Sequence, residues 1–473
     1  MRLADHKIKI VATIGPASES AEVLQQLIQA GMNVARLNFS HGTFASHAER
    51  IARIRAAAAA TGQRVAIMAD LPGPKMRLGN IQPEPIELPA GATFTLTTEP
   101  IVGDSRRASV TFDRLPEVVK PGDRLFLNDG LVQLRVEQVA APQVHCRVVV
   151  GGELRSRKGL NLPGIDLGLS AFTDQDRACL EFALKHGVDA VSQSFVERAA
   201  DLHAVRQAAA ALGHQPFLIA KIERARALDN LDEILQAADG IMVARGDLGV
   251  EVPIEQIALV QKQLVAQASL AGKPVIIATQ MLESMTSSRL PTRAEATDVA
   301  NAVLDGADCL MLSGESAVGK YPVEAVAMLA RIAAFTEAHR PKPCRAEPDR
   351  LMRRRTAWGP ADTIAAVVEQ ALHTVPCAAV FVPTRSGTTA RLLSRFNPPV
   401  WIVALSSDPV VCQSLVFCYG VHPVTLPSEP EDWHTFVQTW AHEHQLTGPL
   451  AMLVAGPSQR HPEASHRIEF LPL

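Results

Sequence analysis

The sequence predicts an α/β protein: a TIM-type (β/α)8 barrel, interrupted once by a small inserted antiparallel β domain and followed by a smaller C-terminal α/β domain. Three observations carry this. Short apolar runs alternate with stretches of helical periodicity eight times within residues 1–342. The rhythm breaks once, over residues 76–158, where short segments of alternating polarity are punctuated by Gly, Pro and Asp-Gly. Ala, Val, Ile and Leu are abundant and aromatic residues make up only 4%, as in parallel sheets wrapped by helices. Eight β/α units favour closure into a barrel. Count alone also fits a doubly wound open sheet.

Residues 7–15 (KIKIVATIG) read as the first strand. The helix SAEVLQQLIQAG follows, with Ser20 as N-cap and Gly31 as stop. Residues 33–40 (NVARLNFS) form a second strand, 43–60 an Ala-rich helix and 65–70 (VAIMAD) a third strand. After the insertion, a helix at 173–186 precedes a strand at 190–195 (AVSQSF). Residues 217–253, FLIAKIERARALDNLDEILQAADGIMVARGDLGVEVP, show the unit most clearly: two buried strands around one helix. PVIIATQM (274–281) and CLMLSGES (309–316) complete the eight. The Pro- and Arg-rich stretch 341–360 reads as a linker to AAVFVPT, PVWIVALS, VHPVTL, PLAMLVAG and HRIEFLPL, the strands of a third domain. The expected division is 1–75 with 159–342 for the barrel, 76–158 for the insertion and 343–473 for the C-terminal domain.

With 473 residues the chain has room for large cores. Its net charge of −3 is scattered, and no basic stripe points to nucleic acid. The seven cysteines are dispersed and form no zinc or disulfide spacing, so a reduced, cytoplasmic protein is expected. The N-terminal MRLADHKIKIVATIG lacks a signal-peptide core, no apolar run reaches transmembrane length, and no membrane partner is expected.

The candidate chemistry lies at the strand ends. Side chains alternate along a strand, so Lys221 and Glu223 point the same way, and Asp247 is expected at the same place on the next strand. Two carboxylates and an ammonium then meet at the carboxyl ends of neighbouring parallel strands, where barrels of this kind place their chemistry. Such oxygen ligands suit Mg2+. Arg36, Asn38 and Ser40 alternate along strand two, Asp70 closes strand three, Thr279 closes strand seven, and Ser313 with Glu315 closes strand eight. Gly246 is expected to leave a bare backbone N–H beside Asp247. The set fits an anionic phosphate ester on a divalent metal. Phosphoryl transfer needs charge neutralisation more than covalent help, and Arg36, Lys221 and the metal supply it. Taken singly, the same residues also fit a surface salt-bridge cluster, helix caps at Thr279 and Ser313, and a turn cap at His41.

These residues belong to longer motifs: KIVATIGPAS, GMNVARLNFSHG, KGLNLPG, AKIERA, DGIMVARGDLGVE, ATQMLESM, PTRAEATDVANAVLDGADCLMLSGESA and a C-terminal SGTTAR loop. Together they resemble the pyruvate kinase family over nearly the whole chain, ARGDLGVE with TQMLESM most specifically. The short lead before strand one is similar to bacterial members. The resemblance implies a mobile lid after strand three, a C-terminal regulatory domain and a homotetramer. It implies Mg2+-dependent phosphoryl transfer, with Mn2+ able to substitute, from phosphoenolpyruvate to ADP. The products are ATP and enolpyruvate, which is then protonated to pyruvate in the last step of glycolysis. By the same resemblance Glu223 and Asp247 match the Mg2+ ligands, Lys221 the group on the transferring phosphoryl, and Arg36 the phosphate clamp. Gly246, Asp247 and Thr279 match the substrate-carboxylate site, with Ser313 nearby, and Thr279 lies near the face where the enolate is protonated. Asn38, Ser40, His41, Arg77 and Lys158 match nucleotide-side positions. Thr384, Arg385, Ser386, Gly387, Thr388 and Thr389 match the loop where the family takes sugar-phosphate effectors; a sugar monophosphate or nucleotide is expected here, and Arg460 and His461 in the later loop are weaker candidates for a second contact. Many members hold K+ near residues matching Asn38, Ser40, Asp70 and Leu71. This chain departs from them: Leu71 stands where Thr is common and Lys75 where Glu is common. The Lys75 ammonium is expected to replace K+, so K+ is not expected to be required.

Two other functions compete. A lyase or aldolase with Mg2+-enolate chemistry would need no ADP. A catalytically dead scaffold would bind no Mg2+ at Glu223 and Asp247.

Overall fold

The computed structural model describes residues 3–340, 359–456 and 466–473. Eight parallel strands, β1 (Lys9–Thr13), β2 (Met32–Asn38), β3 (Ala66–Leu71), β4 (Ala190–Gln193), β5 (Phe217–Ile222), β6 (Gly240–Ala244), β7 (Val275–Ala278) and β8 (Cys309–Leu312), close in the order β1-β8-β7-β6-β5-β4-β3-β2. Because β1 pairs with both β2 and β8, the open-sheet alternative is excluded. The strands are buried along their length, as short continuous apolar runs imply.

Local chemistry starts and stops the helices. The Ser20 side chain accepts from Val23 N at the start of the helix Ala21–Gln29, and Gly31 follows it at φ +119°. Thr43, Thr173 and Thr292 close capping boxes with Ser46, Asp176 and Glu295. The single helix expected between β5 and β6 is two short ones, Ala225–Asp229 and Leu231–Ala237, separated at Asn230. Strands four, seven and eight are also shorter than expected. Phe195, Thr279 and Gln280 take positive φ, which turns the chain off the sheet at the rim of the barrel.

The inserted segment folds around its own apolar cluster, including Phe94, Leu96, Leu125, Leu127 and Leu134. Its six-stranded sheet is antiparallel except for one parallel pair. Two chain passes meet where it joins the barrel: Arg77 bridges Gly159, and Leu78 N donates to Lys158 O at 2.9 Å.

The C-terminal sheet orders its strands Val421–Thr425, Trp401–Ser406, Cys377–Pro383, Leu450–Ala455 and Arg467–Pro472, with the last antiparallel. It sits under the N-terminal mouth of the barrel. Val416 and Phe417 enter the interior cluster of Val11, Val34, Met68, Ile219 and Met242. The Phe417 ring stacks on Phe217 at 5.1 Å and 11°. That end is filled, so the open end lies at the carboxyl ends of the strands. Most of the expected linker, together with Arg460 and His461, lies outside the described residues. Among those described, no helix is long and apolar enough to cross a membrane.

Candidate active site

Period-two alternation carries each strand from apolar interior to polar rim. Phe217 and Ile219 lead to Lys221, Val34 to Arg36, Ala66 and Met68 to Asp70, and Val11 to Thr13. The polar members are all buried. A cluster of charge therefore stands on an apolar layer, where electrostatic interactions are strong.

Two pairs organise it. Arg36 donates from Nε and Nη2 to Asp70 Oδ2 at 2.9 and 2.5 Å, and from Nη1 to the Thr13 hydroxyl at 2.9 Å. Thr13 in turn donates to Leu312 O, which ties the guanidinium to β8. Lys221 Nζ lies 2.8 Å from Glu223 and 2.9 Å from the Ser194 hydroxyl. Glu223 also accepts from Phe195 N at 2.8 Å. Burial works against the Lys221 ammonium, but Asp70, Glu223 and Asp247 outweigh it and hold its pKa above the ordinary lysine range. Burial and the like charge of Asp247 push Glu223 up, against the pull of Lys221.

Several expected placements need correction. Asp247 is not on β6: that strand ends at Ala244, and Arg-Gly-Asp winds into the helix Arg245–Glu251, with Asp247 exposed in its first turn. It still reaches Lys221 and Glu223 electrostatically. The Gly246 N–H is not bare, because it donates to the Thr279 hydroxyl at 2.7 Å. That hydroxyl donates to Ala278 O at 2.6 Å, so Thr279 joins the end of β7 to the first turn of the helix Arg245–Glu251, whose Gly246 N–H it satisfies from outside that helix. Ser40 does not share a strand face with Arg36 and Asn38. β2 stops at Asn38, and the Ser40 N–H turns back to Asn38 Oδ1 at 3.1 Å. Glu315 is buried and accepts from Leu282 N and Ser313 N, so it braces two loops, while Ser313 is partly open at the rim. His41 is exposed and the neighbouring cap is Thr43. Burial, then Lys75, Arg77 and Arg36, lower the His41 pKa, which brings these four into one electrostatic neighbourhood.

Lys75 reaches the same centre. Its side chain is exposed, yet desolvation by the surrounding protein and the charge of Lys221 lower its pKa, while Glu223, Asp70 and Asp247 oppose that. Leu71 is buried within β3 and offers no side-chain oxygen, and Asp70 Oδ1 is buried with no hydrogen-bond partner among the described residues. Arg77 donates to Arg157 O at 2.9 Å across the junction with the insertion, and Lys158 stands on the opposite pass. Thr13, Ser194 and Arg224 are constituents that strand reading missed. The first two have only the barrel register to reveal them, whereas Arg224 stands in plain sight in AKIERA.

The distant loop 384–389 leads into a seven-residue helix, Thr388–Ser394. Gly387 takes φ +76° and donates to the Thr384 hydroxyl, Ser386 and Thr388 share a hydrogen bond at 2.9 Å, and Arg391 donates to Ser386 O at 2.6 Å. Arg385 is exposed and Thr389 partly so.

A family model of the pyruvate kinase barrel domain matches residues 5–326, and one of the pyruvate kinase alpha/beta domain matches residues 362–460. The chain belongs to the pyruvate kinase family. Pyruvate kinase from Thermococcus litoralis is 50% identical over 427 residues, 89% of each chain. Pyruvate kinase from Geobacillus stearothermophilus is 44% identical over 429 residues, 89% of this chain and 72% of that one. A crystal structure of a pyruvate kinase from Cryptosporidium parvum matches with a TM-score of 0.91 at 36% identity, covering 99% of this chain and 96% of that one. This member of the pyruvate kinase family is accordingly a phosphotransferase of glycolysis. The lyase and scaffold readings fall away.

Proposed function

We propose that this phosphotransferase moves the phosphoryl group of phosphoenolpyruvate to ADP with Mg2+, or Mn2+ in its place, without needing K+, and under control of a phosphorylated metabolite. The carrying observation is Lys221, buried and held between Ser194 and Glu223 opposite the Arg36–Asp70 pair.

Glu223 and Asp247 fit a hard divalent cation: both offer carboxylate oxygens, and each is electrostatically coupled to the other. When bound there, Mg2+ would supply positive charge against the anionic substrate. Everything else falls to the chain. Lys221 stays charged and stabilises the transferring phosphoryl. Arg36, already oriented by Asp70 and Thr13, clamps the phosphate without reorganising. Thr279 and Gly246 hold the substrate carboxylate once it displaces the hydrogen bond between them, with Ser313 at the edge, and Thr279 stands at the face where enolpyruvate is protonated. Asn38, Ser40 and His41 line the nucleotide side. The insertion, residues 76–158, acts as a lid: Arg77 and Lys158 at its two junctions bring charge to the ADP phosphates, and closure excludes water.

Lys75 supplies the monovalent charge beside Asn38, Ser40, Asp70 and Leu71 that K+ supplies elsewhere. Its coupling to Asp70 and the orphaned Asp70 Oδ1 support this. The loop 384–389 seats a sugar phosphate or nucleotide, with Arg391 beside it. The barrel, residues 1–75 with 159–342, and the C-terminal domain, 343–473, complete a cytoplasmic homotetramer.

A coupled assay with phosphoenolpyruvate and ADP tests the proposal, titrating Mg2+, K+ and sugar phosphates separately at constant ionic strength. Turnover without Mg2+, or none until K+ is added, overturns the corresponding part.

A further inference from the structure

Arg224 directly follows Glu223 and is 2% exposed. Its guanidinium reaches three parts of the chain. Nη1 donates to Glu251 Oε1 at 2.6 Å, and Nε to Glu197 Oε1 at 3.1 Å. Nη2 donates to Ile165 O at 3.0 Å and, more weakly, to Leu162 O at 3.4 Å. Glu251 ends the helix Arg245–Glu251, whose first turn carries Gly246 and Asp247. The other Glu251 oxygen accepts from Ala225 N at 3.3 Å, and its carboxylate also accepts from Gly164 N. Residues 162–165 immediately follow Leu160–Asn161, which pairs with Arg124–Leu127 inside the insertion. Leu162 and Leu167 lie in the apolar cluster of the insertion, and Ile165 and Leu169 pack against it. Arg224 therefore grips, from within the barrel, the main chain of residues whose side chains belong to the lid. Nearby, Arg226 pairs with Asp166 at 2.6 Å, a second tie to the same turn.

We infer that Arg224 is a positioning residue that couples the return pass of the lid to the two metal-binding carboxylates. Glu223 is its chain neighbour. Asp247 is reached through Glu251 along one helix of seven residues, a rod about 10 Å long. Movement of the 162–165 turn as the lid closes is passed through this fork to both carboxylates. The planar guanidinium suits the task because it serves two carboxylates and two carbonyls from fixed directions, which a lysine ammonium does not reproduce.

The inference rests on the phosphotransfer reading for its kinetic arm and on the proposed Glu223–Asp247 metal site for its Mn2+ arm, while the exchange arm rests on neither. Arg224→Lys, Arg224→Met and the double variant Arg224→Met with Glu251→Gln are compared with the wild type in three measurements. These are steady-state kinetics for ADP and phosphoenolpyruvate, Mn2+ binding to the free enzyme by electron paramagnetic resonance, and amide hydrogen exchange over residues 159–169. Arg224→Lys is expected to fold, to lower kcat roughly tenfold to a hundredfold, to bind Mn2+ more weakly and to exchange faster at 162–169. The double variant removes the buried Glu251 charge and leaves part-exposed Glu197 paired with Arg226, so it is expected to recover much of the thermal stability lost in Arg224→Met but not its kcat or Mn2+ affinity. A folded variant with wild-type exchange and Mn2+ binding overturns the inference. So does a loss confined to thermal stability. Should the wild type convert no phosphoenolpyruvate with ADP, the phosphotransfer reading fails, while exchange and Mn2+ binding still decide the role of Arg224.

Discussion

Arg36 and Asp70 stand on adjacent strands and meet through a single oxygen. Asp70 Oδ2 takes both the Nε and Nη2 hydrogen bonds, and Oδ1 is left buried without a partner among the described residues. Burial works against the Asp70 carboxylate, yet Lys221 and Arg36 outweigh it and hold its pKa below the ordinary value. Asp70→Asn keeps the shape and removes the charge. It is expected to fold and to lower kcat/KM for phosphoenolpyruvate on the order of a hundredfold, because Arg36 and Lys221 lose their shared counter-charge. Unchanged kcat/KM in the folded variant sinks the orienting role.

Lys221→Met is expected to fold and to lose most phosphoryl transfer. In the proposed reaction the ammonium meets charge that develops on the phosphoryl group, and a single donor of this kind contributes roughly 3 to 4 kcal/mol. Enolpyruvate protonation is a separate step, so proton exchange into pyruvate is expected to survive. Near-normal turnover by a folded variant would falsify the assignment.

Lys75→Glu is expected to lower activity in K+-free, Na+-free buffer and to create K+ activation. The wild type is expected to be nearly indifferent to K+ near neutrality. Desolvation and Lys221 lower the Lys75 pKa, so its charge is present below that depressed value and lost above it. K+ activation of the wild type should therefore emerge only on the alkaline side. Activity profiles with and without K+ across pH decide this, and a K+ requirement at neutral pH returns the cation to Asn38, Ser40 and Asp70.

Asp308, at the seam between barrel and C-terminal domain, accepts from Val275 N, Tyr419 N and the Ser394 hydroxyl. Burial nevertheless raises its pKa from an ordinary 3.8 to about 7, with these donors and Lys9 opposing. The native state thus holds the proton more tightly than the unfolded chain. The resulting stability is full below the unfolded value and lost as pH rises through about 7. A shift of this size corresponds to roughly 4 kcal/mol. Asp308→Asn cannot ionise and is expected to flatten the pH dependence of urea unfolding between acid and neutral pH. Parallel profiles for the two proteins exclude Asp308 as its source.

Strand periodicity made the barrel and its polar rim readable. Lys221, Glu223, Arg36 and Asp70 each stand two residues beyond an interior apolar position or at a strand end, so alternation alone placed them together. Asp247 escaped this logic because Arg-Gly-Asp winds into a helix after Ala244, and a short apolar run does not announce which way its end turns. The Gly246 N–H looked free because its acceptor, Thr279, lies in another loop. Ser194 and Thr13 were illegible for a related reason: their partners lie 27 and 23 residues away, and only barrel register brings them within reach. The break at Asn230 left no trace in an apolar pattern that fits one helix as well as two.

Phe417 against Phe217 makes the innermost hydrophobic layer the joint property of two stretches of chain two hundred residues apart. Stripped of its C-terminal sheet, the barrel would open onto water at the amino-terminal ends of its strands, so the two parts are bound to unfold as one cooperative unit. The insertion has its own apolar cluster, and besides its two chain passes it is tied to the barrel through Arg224, Glu251 and Arg226 at residues 162–166, so its opening is a separate sub-global event that begins by breaking those ties. Heat and proteases should therefore attack this molecule first on the side where its chemistry takes place. A ligand bound to the C-terminal sheet, by contrast, lends its binding free energy to the barrel as a whole.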